Sequence, residues 1–243
     1  MWWITTYEPV TMFSLKAAAA TSTGGKSLLL PTPFSFKMAL LNTVIQLEGI
    51  DAGTRLWPAI RDGRMAIHGP DQIAVNNTFT KILKPSRGQP QPDPATGILQ
   101  IMGRSIGFRE YVQWHGETRI AFEPSNEADK DWALWTTNIH YLGKRGGFVQ
   151  ATGQFEKGEK LPPDFLLLGE DEQRGESFPL DGTLQVMDDC GSNLSFDEVN
   201  IYSSKTMRLG THRILRPVIL PYRMARSSRG YTLYERFDEA GSA

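Results

Sequence analysis

The chain has 243 residues, 40% of them hydrophobic and 22% charged, enough for one large domain or two small ones with a real core. A single cysteine, Cys190, excludes an internal disulfide framework and a multi-thiolate zinc site, and fits a reducing cytoplasm. The net charge of −1 argues against a free-standing nucleic-acid binder, but the charge is uneven: residues 1–123 carry 12 Lys/Arg against 9 Asp/Glu, residues 124–200 carry 6 against 15, and residues 201–243 carry 8 against 3.

A basic tail and an acidic middle predict two faces for two different partners; a mixed solvated surface is the plainer alternative. The opening Met-Trp-Trp-Ile lacks a basic region followed by a long apolar run, so no signal peptide is expected. Phe34 to Leu47, the most apolar stretch, is interrupted by Ser35, Lys37, Asn42 and Gln46 and is too short and polar to span a bilayer.

In chain order, Trp2 to Thr11 is aromatic and β-branched and predicts a strand. A small, polar stretch follows from Ala17 to Ser27, with Gly24-Gly25 at its tip. Thr32 and Pro33 then supply an N-cap and a first-turn proline, Phe34, Met38, Leu41 and Ile45 recur at helical spacing, and Gly49 stands at the C-cap position, so a buried helix is expected. A short helical piece, Thr54 to Asp62, leads to a β-rich run from Gln72 to Lys84. Ser86 to Gly97 holds three prolines and two glycines and reads as a mobile excursion without regular structure. Arg109 to Trp114 and Glu117 to Phe122 flank His115-Gly116, a two-residue hairpin signal. A second helix is predicted from about Asn126 to Leu142, with Ala128, Trp132, Trp135, Ile139 and Leu142 along one face and Asn126 with Asp129 as a capping pair. Gly143 ends it, and Phe148 to Gly153 is a short strand.

The order strand, helix, strand, insertion, strand, helix, strand is the βαββαβ pattern of ferredoxin-like and RNA-recognition folds, so the expected class is α+β. The remainder holds an acidic loop (Gly169 to Glu176) and several short strands, ending with Arg213 to Arg223 paired to Gly230 to Phe237. It reads as a smaller β-rich lobe.

Ala20 to Ser27 fits a loose phosphate-loop pattern, but Pro31 and Pro33 forbid the helix that would have to start at Lys26, and no strand ending in aspartate follows to hold magnesium. What survives is a glycine loop whose Lys26 can touch a backbone phosphate. Gly143-Lys144-Arg145-Gly146-Gly147 is a tight turn with bare amides beside two cations, which suits a sugar–phosphate backbone; a solvated turn needing glycine for geometry alone is the competing reading. The arginines 213, 216, 223, 226 and 229, interleaved with Tyr222 and Tyr231, form the densest basic stretch and could pair with phosphates or stack on bases, or simply solubilise an exposed hairpin. His68, His115, His140 and His212 share no metal-ligand spacing, Asp188-Asp189 is a lone acidic pair, and no nucleophile elbow occurs, so neither metal, cofactor nor catalytic set is expected.

Three stretches together carry a family resemblance: Leu30-Pro31-Thr32-Pro33 running into Phe34 to Leu41, the proline-rich excursion, and His140 to Gln150 with its basic glycine turn. They resemble the Cas-five family of the RAMP superfamily, subunits of type I CRISPR (Cascade) surveillance complexes. The resemblance implies a ferredoxin-like (RNA-recognition-like) domain over residues 1–155 with a β-hairpin thumb inserted at about 85–122, and a smaller β-rich lobe over 156–243. It also implies a cytoplasmic ribonucleoprotein subunit that grips the 5′ handle of the CRISPR RNA, caps the backbone of repeated subunits and contacts the large subunit, meeting target DNA only indirectly. Transferred to this chain, Lys26, Lys144, Arg145, Gly146 and Gly147 would line the handle site and Arg104 and Arg109 on the thumb would face nucleic acid, with Arg216, Tyr222, Arg223, Arg226 and Arg229 as a further RNA-binding run. One branch of the family cleaves precursor RNA with a tyrosine, lysine and histidine set, and His140, Tyr141 and Lys144 supply those residue types. A non-catalytic RNA-binding role is favoured over that metal-independent endoribonuclease and over a protein-only scaffold.

Overall fold

The computed structural model describes residues 1–17, 25–85, 88–126, 131–144, 146–168 and 181–237. Gly24, Ala128, Asp129, Arg145 and the acidic loop Gly169 to Glu176 lie outside the described residues. In chain order the elements are β1 (Trp2–Pro9), β2 (Leu15–Lys16), β3 (Ser27–Leu28), α1 (Pro33–Glu48), α2 (Ile50–Arg61), β4 (Arg64–His68), β5 (Gln72–Pro85), β6 (Gln91–Pro92), β7 (Leu99–Gln100), β8 (Met102–His115) and β9 (Thr118–Glu123). Then come α3 (Trp132–Thr137), β10 (Val149–Gly158), β11 (Leu166–Leu167), β12 (Thr183–Cys190), α4 (Phe196–Val199), β13 (Arg213–Leu220), β14 (Tyr222–Ser227) and β15 (Tyr231–Arg236). The class is α+β, as expected.

A five-stranded antiparallel sheet in the order β10-β1-β9-β4-β11 forms the centre. Alternation along its strands sends Trp3, Tyr7, Met65, Ile67, Ile120 and Phe122 into the main core with α1, while Trp2, Ile4, Ala66 and Ala121 meet Phe165 in a smaller cluster on the other face. α1 starts and stops where its sequence signals lie. The Thr32 hydroxyl accepts from Ser35 N at 3.1 Å, Pro33 fills the first turn, and Gly49 N–H bonds Ile45 O with a φ of 91°. That glycine turns the chain directly into α2, which begins four residues before the predicted Thr54.

A second sheet, β14-β15-β5-β8, is built on a long hairpin in which β5 and β8 pair along their whole lengths. At its base Ile73, Val75, Val112 and Trp114 are buried. On the same face of its distal half, Phe79, Leu83 and Ile106 are 68%, 60% and 73% exposed. The third unit, β12 paired to β13, lies against α1.

Several expectations change. His115-Gly116 is not a hairpin turn: Gly116 has the positive φ of 108°, but β8 pairs with β5 whereas β9 pairs with β1 and β4, so the chain crosses between sheets there. The proline-rich excursion is not devoid of regular structure. β6 and β7 form a short ladder, and Asp93 Oδ1 accepts from Ala95 N at 2.8 Å and Thr96 N at 3.3 Å to close the tip. The second helix is shorter than predicted, although Trp132, Trp135, Ile139 and Leu142 are all buried. Thr137 Oγ1 donates to Ala133 O at 2.7 Å and Asn138 Nδ2 to Leu134 O at 2.8 Å, so polar side chains take the last carbonyls and the helix stops at Thr137. Arg213–Leu220 pairs with β12, and only Tyr222–Ser227 pairs with β15. Pro221 lies at the break, where a ladder donor would be missing. The stretch after Glu156 is β-rich, and its strands are distributed over all three units rather than gathered in one sheet.

Candidate functional site

The N-terminal strand ends beside the basic glycine turn, and the sequence there is a set of mutual constraints. Thr11 Oγ1 donates to Gly146 O and accepts from Phe148 N at 2.9 Å, Leu142 N bonds Gly147 O at 2.9 Å, and Gly147 N bonds Lys144 O at 3.1 Å. Gly143 and Gly146 have φ of 74° and 111°, where an L side chain is strained. Gly147 is needed for another reason: a Cβ there would lie 2.9 Å from Leu142 O and 3.0 Å from the Phe13 ring. Geometry therefore accounts for all three glycines, and it holds Lys144 exposed at the rim.

Phe13 is the link to the hairpin. It exchanges backbone hydrogen bonds with Val112 at 2.7 Å in both directions, and its ring stacks on Trp114 at 4.2 Å. The opposite side of the same short pairing places Met12, Ser14, Arg109, Tyr111, Lys144, Gly146 and Gly147 around a cleft of about 260 Å³. Arg109 and Tyr111 alternate with buried Val112 and so point away from the hairpin's core face. Ser14 and Lys144 also line a second, adjoining cleft of about 430 Å³, walled by Lys16, Leu28, Phe34, Met38, Asp188 and Arg213.

Lys26 reaches the same strand from the other side. Gly25 O accepts from Glu110 N at 2.7 Å, and a Cβ at Gly25 would fall 1.9 Å from Phe108 O, so only glycine lets this loop lie against β8. Glu110 Oε2 then accepts from Ser27 N at 2.8 Å. Lys26 opens onto a recess with Phe108, Glu110, Thr232 and Tyr234, on the face of β8 opposite Arg109. The side chains of Lys16, Lys26, Arg109 and Lys144 form no ion pair among the described residues, whereas Lys37, Arg64, Arg119, Arg213 and Arg236 each meet a carboxylate.

The structure thus brings Arg109, Lys144, Gly146 and Gly147 together, with Lys26 nearby. It does not bring the rest of the expected set to them. Arg104 lies in the distal hairpin opposite Leu83. Arg145 lies outside the described residues. Tyr222 must be corrected: it is buried, its hydroxyl donates to Pro70 O at 2.6 Å, and burial pushes its pKa up, so its ring is core and not a stacking surface. Arg216 is half-buried on β13, opposite Met187. Arg223 meets Asp181 at 3.1 Å and covers the Phe237 ring at 4.2 Å, and Arg226 and Arg229 are exposed on the β14–β15 hairpin; none of these lines either cleft. His140 is exposed and Tyr141 pairs with Phe148, and neither lines the clefts that hold Lys144. No group of three or more His, Cys, Asp or Glu suited to a metal ion occurs among the described residues, and no helix of these residues is long and apolar enough to cross a membrane.

Lys16 and Tyr111 are charged or aromatic cleft residues that sequence reading missed, and Arg213 stood there only as one of a run of five arginines. Tyr111 was available from alternation with Val112 and Trp114. Lys16 and Arg213 come to the site through tertiary contacts that no local pattern carries.

No protein-family model matches the chain. Over 200 residues, 81% of this chain and 82% of the relative, it is 25% identical to the CRISPR-associated protein Cas5 of Archaeoglobus fulgidus. A crystal structure of a CRISPR protein from the same organism aligns over 98% of this chain and 92% of that one, with a TM-score of 0.45 and 14% identity. The resemblance carried by the short motifs is matched by this sequence relative along most of the chain.

Proposed function

We propose that this chain is a Cas5-type subunit of a CRISPR effector complex, that it binds the 5′ handle of the guide RNA without chemistry of its own, and that it caps the backbone of repeated subunits in contact with the large subunit. The observation that carries the reading is the convergence of Arg109 and Lys144 on one open cleft floored by the internally bonded Gly146–Gly147 turn, with neither cation ion-paired within the described chain. Unpaired cations in an open cleft suit a ribose–phosphate backbone, because phosphate contacts supply most nucleic-acid affinity. The strand order β10-β1-β9-β4 supports a ferredoxin-like sheet over the first 155 or so residues, and the β5–β8 hairpin supports a thumb that starts at Gln72, upstream of the 85 expected from sequence. Lys26 and Arg104 add two cations on the face of that hairpin opposite Arg109.

The test is fluorescence anisotropy of a labelled repeat-derived RNA at several salt concentrations. Arg109→Ala with Lys144→Ala should weaken binding and reduce the log–log salt slope by about one unit for each phosphate no longer neutralised. Unchanged affinity and slope would remove the proposal. Incubation of the protein with repeat RNA in EDTA should leave the RNA intact; cleavage would favour an endoribonuclease instead.

A further inference from the structure

The larger cleft, beside the phosphate path, has a feature the backbone-gripping role does not use. Arg213 comes up from β13 and is fixed on two sides. Its Nε and Nη2 both bond Oδ2 of Asp188, the first at 2.9 Å, and its guanidinium lies 4.2 Å over the Phe34 ring. Asp188 and Phe34 are both buried, so neither partner can swing away to release the arginine. Arg213 itself is 29% exposed, and with Met38 and Leu28 it lines the cleft. One face of the guanidinium is on Phe34, one edge is on Asp188, and Nη1 has no hydrogen-bond partner among the described residues. What remains to the cleft is the other flat face and that donor.

We propose that this cleft receives one unstacked nucleobase of the bound RNA, layered on the outer face of Arg213 in a Phe34–Arg213–base stack. Three things carry the assignment. A guanidinium plane is a stacking surface for single-stranded bases, and here its orientation is set before any ligand arrives. The cleft volume of about 430 Å³ lies in the range of about 300–1,000 Å³ that suits small planar ligands, and its walls set apolar Leu28 and Met38 for a ring face beside Thr32, Ser35 and Lys16 for its polar edge. Lys144 and Ser14 belong to both clefts, so a strand whose phosphates follow Arg109, Lys144 and Gly146–Gly147 passes the mouth of this one. Nη1 would donate to an acceptor on the base edge. Arg213 then acts as a positioning platform for the RNA's bases, distinct from the cations that hold its phosphates.

The inference rests on the RNA-binding reading above, and the experiment separates the two. The full chain is titrated with an adenosine octamer RNA and with an abasic ribose–phosphate octamer of equal charge. Binding of the base-bearing RNA about tenfold tighter is expected, the scale of one stacked base. Arg213→Lys keeps the charge and a partner for Asp188 but removes the plane, and Met38→Trp fills the cleft from its opposite wall. Either change, in a variant that melts like the parent, should bring the ratio to about one while leaving affinity for the abasic strand unchanged. If both folded variants keep the preference, or the parent binds both strands equally, the base cleft is refuted while backbone binding stands. If the parent binds neither strand, the RNA-binding reading itself falls. Should one variant fail to fold, the other decides.

Discussion

Lys37 and Lys144 carry the same charge into opposite settings. Lys37 projects from the first half of α1, is 2% exposed, and donates from Nζ to Arg61 O at 2.8 Å and to Asp189 Oδ1 at 2.7 Å. Asp189 Oδ1 also accepts from Cys190 N at 2.7 Å, and burial pushes the neighbouring Cys190 thiol up to about 12, so it stays protonated. Lys144 stands on a glycine turn with no carboxylate partner among the described residues. The first cation has its whole coordination inside the chain and ties β12 to α1 and the end of α2. The second has its backbone fixed and its charge unanswered. A basic residue in this molecule is thus read by whether its partners are internal, not by its place in a basic run.

Breaking the internal case should give the largest effect. Lys37→Met leaves Asp189 buried without its cation and should lower stability by about 3–5 kcal/mol, read as a fall in the urea midpoint. Adding Asp189→Leu should recover most of that loss, since a well-packed apolar pair removes both desolvation costs. A single substitution costing less than about 1 kcal/mol would mean that the pair does not hold the seam.

The glycine turn comes next, because it separates close approach from backbone sign. Gly147→Ala drives a Cβ against Leu142 O and the Phe13 ring, and Phe13 cannot yield without leaving Trp114; a loss of about 1–3 kcal/mol is expected. Gly146→Ala meets no atom within 4 Å and costs only the strain of its φ of 111°, about 1–2 kcal/mol. Thermal melts of the two variants in one buffer compare them directly. Equal and negligible losses would show that neither constraint operates.

The contrast between these regions also explains which features are legible in the sequence. α1 is legible at both ends because Thr32, Pro33 and Gly49 act on their own backbone, and the Trp132, Trp135, Ile139, Leu142 stripe gives the right buried face although, among the described residues, only Trp132–Thr137 is helical there. Local signals fail where strand partners are chosen at long range. His115-Gly116 is a good turn pair whose flanking strands join different sheets, and the arginine run after Arg213 is split by Pro221 between two ladders. In the site, Lys144, Gly146 and Gly147 stand out because they are consecutive or nearly so. Arg213 reads as one of five similar arginines, and only Asp188 and Phe34, 25 and 179 residues away in sequence, make it different from Arg226.

A smaller effect checks the unpaired side. Lys144→Ala should change stability by no more than about 0.5 kcal/mol, because nothing inside the chain depends on its charge. Its urea midpoint should match the parent while the salt slope for RNA falls. A clear drop in the midpoint would place Lys144 with Lys37 after all.

His68 lies between the two extremes and should give the smallest change. It is half-buried at the end of β4, with Nε2 against Arg236 and 3.5 Å from Asp164 Oδ2, while Arg119 meets Asp164 and Arg236 meets Asp71 at 2.8 Å. Burial, then Arg236 and Arg119, hold its pKa below the ordinary 6.5, and Asp164 and Asp71 only partly offset them. The folded state therefore takes up this proton less readily than the unfolded chain. The stability it contributes is complete above pH 6.5 and is lost as pH falls through the folded pKa. Urea midpoints between about pH 7.5 and 5.5, above the range where free carboxylates titrate, should decline in the parent and in Lys144→Ala alike. His68→Gln should flatten that decline. An equally steep decline without the imidazole would mean another group titrates there, and the neutral middle case between Lys37 and Lys144 would be lost.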